Sequence, residues 1–337
     1  MEFAYLRLKA RQTESGPSGK PDNESHLSMH SREKVTHGRS STRIRNKKGI
    51  MSSAQIEEEP GLNLTALMTN VKDLPPLPSV VMKAMEMTLD PEASVRNLQL
   101  LISQDQALSA KILRIVNSAM YSMRREVSTV SHAVAVLGIE TVKSVIMAAS
   151  VEHVFRSSRD LGAKLMSDHS WGTALAARAI ARRVQYENTE EALVCGLMHD
   201  IGKPVLMQNL PDRYSEIVSE AYKGRSTFHQ MELLAFGFSH AHVGALLARK
   251  WNFPPQLAEA VGYHHNPLSA PSYQRLACII NLANLLMVSM GIGIEKDKTL
   301  AVEKQPSAEN LKLDASTLAA LTSELQVAIQ ATAALRS

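Results

Sequence analysis

The chain has 337 residues, 45% of them hydrophobic and 21% charged, which is enough apolar material for a sizeable core and excludes a wholly disordered chain. Aromatics are scarce at 4% while Met reaches 16 residues, a pattern of helical cores rather than β-sandwiches, and two cysteines, Cys195 and Cys278, are too few for a disulfide framework. Both lie in apolar helical stretches and are expected to be reduced and buried. The net charge of +4 is unevenly spread: residues 1–50 hold eleven Lys or Arg against five Asp or Glu, so the rest of the chain is −2. A basic balance confined to one tail does not argue for a nucleic-acid surface on the folded part. No apolar run reaches the roughly 18–20 residues a bilayer span needs, and the N-terminus lacks an apolar leader core. No membrane span and a cytoplasmic location are the resulting expectations.

Residues 1–60 are rich in Ser, Lys, Arg, Gly and Asn without apolar periodicity, and are expected to be a disordered basic tail. Met51 offers an alternative start. The Arg43–Lys48 stretch could touch nucleic acid or an anionic membrane; a solvated tail is the plainer reading. Leu74-Pro75-Pro76-Leu77-Pro78 forms a rigid extended lead-in. Helical spacing then recurs through Val80–Leu89, through Val95, Leu98 and Ile102, through Leu108, Ile112 and Val116, and through Val130–Leu137 to Gly138, with another helix starting at Val142. Met82, Met85, Met87, Met120 and Met123 fall in this part, as ordinary core or as an adaptable partner surface. Further helices are expected over 169–184, 190–208, 228–250, 255–264 and 273–290. Residues 295–309 read as loop, and Leu311–Leu335 as a last amphipathic helix. No strand alternation appears, so the fold class is all-α.

The histidines carry the chemistry. His169, His199-Asp200, His240 and His264-His265 each fall on or at the end of an expected helix, and imidazole with carboxylate suits first-row divalent metals held between facing helices. His199 and Asp200 close an apolar helix, where burial would leave two polar groups in need of partners. His240 and His242 lie two residues apart and face different ways, so only one can enter a shared pocket. His132, His153, His229 and His242 are read as passive, as are His26, His30 and His37 in the tail.

Leu197-Met198-His199-Asp200-Ile201-Gly202-Lys203 resembles the central motif of the HD superfamily of metal-dependent phosphohydrolases. The stretch from Leu74 to about Leu286 is similar to the HDOD domain within it. The matching pieces are the lead-in at 74–78, Ile112–Ala119, Ala133–Gly138, Phe236–Ala245, Trp251-Asn252-Phe253-Pro254-Pro255 and His264-His265. This resemblance implies two helical lobes, 62–160 and an HD-like lobe at 161–290, followed by a C-terminal loop and helix at 291–337. It implies His169, His199 and Asp200 as metal ligands, with Asn284 where an active enzyme has its final Asp. His240, His264 and His265 match a second metal site of the related HD-GYP branch, and Lys203 matches a phosphate-facing lysine there. The Gly-Tyr-Pro segment of that branch is absent, which argues against cyclic di-GMP hydrolysis.

Two functions stand as expectations. The preferred one is a bacterial signal-transduction module with a degenerate metal or nucleotide pocket, without efficient catalysis and with signalling proteins as partners. The alternative is a phosphohydrolase acting on a nucleotide or phosphodiester through Fe, Mn, Zn or Mg, with Asp200 and Lys203 in catalytic roles.

Overall fold

The computed structural model describes residues 95–336 apart from 104, 118–120, 122, 124–125, 139–140, 143, 147–160 and 225; before residue 95 it describes only 64, 83 and 87. The tail, Met51, the lead-in at 74–78, His153 and Met82, Met85 and Met120 therefore lie outside the described residues. Among the described residues every regular element is a helix, and no single helix is long and apolar enough to cross a membrane.

The first helices whose bounds are described are α1 (Val95–Ser103), α2 (Gln106–Val116) and α3 (Val130–Leu137). Each begins or ends as its sequence dictates. The Asp105 side chain accepts the Leu108 amide at the start of α2, and Thr129 accepts the His132 amide at the start of α3. Asn117, which caps the C-terminus of α2, reaches across to Val127 and exchanges two hydrogen bonds with its backbone. Leu98, Ile102, Ile112, Val130 and Val134 close the core between these helices. Met87 and Met123 are partly buried against that core.

The long helix α4 (Leu161–Arg183) is the spine of the second half of the chain, packing on α5 (Thr189–Met198), α11 (Gln274–Met290) and α13 (Ala315–Arg336). Between α5 and α11 run α6 (Gly202–Asn209), α7 (Pro211–Tyr222), α8 (Phe228–Phe236), α9 (His240–Lys250) and α10 (Pro255–Tyr263), with a 3₁₀ turn at Pro267–Ser269. Cys195 and Cys278 are buried free thiols in α5 and α11.

The boundaries differ from expectation at the places that matter. The single helix expected over 190–208 is two, broken at His199–Ile201, because Pro204 lacks an amide proton and fits only a first helical turn. The single helix expected over 228–250 is also two, bent by 86° at residues 237–239. Gly237 takes the left-handed conformation (φ 75°) that ends α8, and Ser239 restarts the chain as α9. α4 starts at Leu161, so His169 stands two turns inside it rather than at its beginning. Helix α7 was not foreseen, although Pro211 at its first position and the buried Tyr214, Ile217 and Ala221 are helix signals. Residues 295–309, expected as loop, contain a 3₁₀ turn at Val302–Lys304 and the start of α12 (Pro306–Asn310).

Candidate metal centre

Five helices deliver polar side chains to one buried point. His169 comes from α4, His199 and Asp200 from the turn after α5, His240 from the first turn of α9, His264 and His265 from the turn after α10, and Asn284 from α11. All are buried except the partly exposed His265. The α6 and α9 N-termini can meet here because residue 202 is glycine: a Cβ there would overlap the His240 carbonyl.

The rings are fixed by one device used repeatedly. His199 and His264 both cap helix C-termini, and each folds back so that Nδ1–H donates to the carbonyl three residues earlier, Gly196 at 2.7 Å and Val261 at 2.6 Å. These carbonyls belong to last turns, where the helix itself supplies no donor. His169 Nδ1–H donates to the Ile292 carbonyl at 2.9 Å. His240 Nδ1–H donates to Glu232 Oε2 at 2.5 Å, and the same oxygen accepts the His240 amide at 2.7 Å. For His169, His199 and His264 this sets the tautomer, and in every case Nε2 is turned inward.

The inward atoms form two clusters joined by Asp200. Within each, the ligand-type atoms of His169, His199 and Asp200, or of His240, His264 and His265, lie within 4.8 Å of one another. Asp200 Oδ2 lies 3.3 Å from His199 Nε2 and 3.8 Å from His169 Nε2; Oδ1 lies 3.1 Å from His240 Nε2 and 3.9 Å from His264 Nε2. Asn284 Oδ1 stands 3.0 Å from His169 Nε2, and His265 Nε2 stands 3.0 Å from His240 Nε2. Lys203 Nζ donates to Asp200 Oδ2 at 2.7 Å and sits 4.5 Å from the centroid of the Phe228 ring.

Electrostatics separate the members. Burial lowers His169 to about 4, and burial with its charged neighbours holds His264 and His265 well below the usual range, so these rings are neutral lone-pair donors. Burial also opposes charge on His240, but the Glu232 carboxylate outweighs it and raises this ring to about 9. Burial likewise disfavours the Asp200 carboxylate, yet His199, Lys203 and His240 hold its pKa well below the ordinary value. Lys203 is raised despite burial, chiefly by Asp200.

The residues fit a divalent cation on grounds of their own. His199 Nε2 and His264 Nε2 are buried and have no hydrogen-bond partner among the described residues, and both face the Asp200 carboxylate. Buried lone pairs converging without donors are costly unless something electropositive meets them.

Glu232, Tyr214 and His229 were not foreseen as parts of this site. Glu232 is fully buried, takes the Tyr214 hydroxyl at 2.6 Å, and backs His240. Its signal was present: Phe228, Glu232 and Phe236 share one buried stripe of α8, and a carboxylate on such a stripe needs a purpose. His229, read as passive, stacks on His265 with centroids 4.2 Å apart. His242 is exposed and accepts the Ser239 amide as a helix cap, and His132 is exposed on α3.

An all-helical domain with a buried His–Asp centre after an apolar helix defines the HD-like phosphohydrolase fold. Residues 74–267 match the HDOD domain model, and the chain belongs to the HDOD domain family. It is similar to an HDOD domain protein of unknown function from Geobacter sulfurreducens, with TM-score 0.69 and 26% identity over 80% of this chain and 95% of that one. It is similar also to a candidate phosphohydrolase from Shewanella amazonensis SB2B, with TM-score 0.64 and 25% identity over 82% of this chain and 100% of that one. An uncharacterized protein of Treponema pallidum (strain Nichols) is 25% identical over 222 residues, 65% of this chain; the chain spans 43% of the length of that relative.

Proposed function

We propose that this chain is a cytoplasmic signalling module that keeps the HD-type centre to hold a divalent cation and stabilise a partner-binding fold, without efficient phosphohydrolysis. The observation that carries this reading is the shortage of negative charge at the ligand positions. Asp200 is the one carboxylate among them, and Lys203 already lies on its Oδ2, while the last ligand position holds the neutral Asn284. Two divalent cations would add four positive charges where one partly neutralised carboxylate faces them, and uncompensated buried charge is strongly unfavourable. His169, His199, Asp200, His240, His264 and His265 would hold the metal, with Asn284 as a weak neutral ligand. A bound cation would supply Lewis acidity and a more acidic water.

The converging lone pairs of His199 and His264 and the likeness to the Shewanella protein favour a second reading, a metal-dependent phosphohydrolase with Lys203 facing phosphate. Elemental mass spectrometry of untagged protein tests the metal, with Asp200→Asn as the control because Asp200 joins both clusters. About one equivalent, lost in Asp200→Asn, is the expected result; a metal-free protein whose affinity for added Mn²⁺, Fe²⁺ or Zn²⁺ is unmeasurable would overturn it. Turnover of a panel of phosphodiesters and nucleotides with Mn²⁺, above the Asp200→Asn control, would decide for the hydrolase.

A further inference from the structure

The two clusters are not equivalent. On the His169 side, Asp200 offers Oδ2, the oxygen that already accepts the Lys203 ammonium at 2.7 Å, and the remaining groups are two imidazoles and a carboxamide. On the His240 side, Asp200 offers Oδ1, which lies 3.1 Å from His240 Nε2 and 3.9 Å from His264 Nε2 and does not carry the lysine, within a set of three imidazoles. Behind that second side stands a further anion. Glu232 is fully buried, and both its oxygens are engaged: Oε1 by the Tyr214 hydroxyl, Oε2 by the backbone and ring of His240. A carboxylate hydrogen-bonded to the far nitrogen of a ligating imidazole increases the basicity of the ligating nitrogen and fixes the ring. The other imidazoles with a pinned Nδ1, those of His169, His199 and His264, donate it to neutral carbonyls instead.

We propose that Glu232, acting through His240, makes the His240–His264–His265 cluster with Asp200 Oδ1 the tighter site, so that a single divalent cation occupies it in preference to the His169–His199 cluster. This rests on the metal-holding reading above. Three imidazoles and one carboxylate oxygen form a four-ligand set suited to Zn²⁺, Fe²⁺ or Mn²⁺. Glu232 is a positioning residue here, reaching the cation only through His240. His229 stacks on the partly exposed His265, the ring of this cluster whose Nδ1 is held neither by a backbone carbonyl, as in His264, nor by Glu232, as in His240.

The test uses the full chain stripped of metal and reloaded with Zn²⁺ at one equivalent. X-ray absorption at the zinc edge counts imidazole ligands: three are expected, and two would overturn the inference, since the other cluster has only His169 and His199 to give. Failure to take up Zn²⁺, Mn²⁺ or Fe²⁺ measurably would instead remove the metal-holding reading itself. Chelator competition with Glu232→Gln should show affinity about 10–100-fold weaker. The imidazole count in that variant should fall below three, a change that a purely structural role for Glu232 would not produce. Wild-type affinity and an unchanged count of three in a folded Glu232→Gln protein would overturn the role of Glu232. Should that variant fail to fold, the wild-type count alone decides which cluster is occupied.

Discussion

Helix α5 carries a buried polar cluster at each end, and the two are built on opposite principles. At its N-terminus, Glu190 pairs with Arg178 of α4 at 2.9 Å, takes the Tyr121 hydroxyl at 3.3 Å, and has the Arg178 guanidinium stacked 4.5 Å above the Tyr121 ring. Charge, hydroxyl and π-face answer one another, and the assembly ties the loop after α2 to the α4–α5 pair. At the other end, the inward Nε2 of His199 is buried with no hydrogen-bond donor among the described residues. Two polar clusters on one ten-residue helix thus differ as polar groups that answer one another differ from polar groups that, in the reading proposed above, await a cation.

The largest effect should come from breaking the completed cluster. Arg178→Ala strands Glu190 and should cost about 3–5 kcal/mol in urea unfolding, with metal content per folded molecule unchanged. Loss of metal in this variant would mean that the two ends of α5 are not independent.

Acid should act on the other end. In metal-free protein, His169 ionises at about 4 when folded and near 6.5 when unfolded. Between those values the unfolded chain binds the extra proton, so stability falls as pH drops from 6.5 to 4, by about 3 kcal/mol from this ring alone. His264 and His265 act in the same direction. His240 acts oppositely: its contribution is complete below pH 6.5 and is lost as pH rises to about 9. Denaturation midpoints of metal-free protein should therefore peak near pH 6.5. A profile flat from pH 4 to 9 would contradict the buried protonation states.

Metal should stabilise only through the unfinished cluster. Zn²⁺ at a hundred times its dissociation constant should add about 2.7 kcal/mol to wild type and nothing to Asp200→Asn, measured as the shift in unfolding midpoint. The smallest effect tests the helix joining both clusters. Asn188 caps α5 by accepting the Glu191 amide, and Asn188→Ala should cost about 1 kcal/mol while zinc affinity stays within twofold.

Much of this was legible in the sequence, for a physical reason. Apolar spacing marks helices wherever one face is buried, and the adjacent His199-Asp200 after an apolar run announces polar groups in a core. What escaped was what depends on neighbours distant in the chain. Glu232 acquires its meaning from the buried Phe228–Phe236 stripe that shows which way it points, and Tyr214 lies on α7, a helix outside those expected from spacing. The breaks at His199–Ile201 and 237–239 were hidden because apolar periodicity continues across them, although Pro204 and Gly237 stood there as local evidence. The proposed inequality of the two clusters needs three-dimensional facts, above all that Lys203 lies on one Asp200 oxygen while the other faces His240.

His199 and His264 are the closing residues of α5 and α10, each ring bonded to its own helix's last turn. Helix ends are the first places where a native protein opens locally. In this molecule, fraying of either end and release of an imidazole are one motion. On the metal-holding reading proposed above, an ion bound through such a ring would therefore leave at a rate set by the opening of a helical turn. Amide hydrogen exchange at Gly196–His199 and Val261–His264 would report it directly, slowing as the ion is bound.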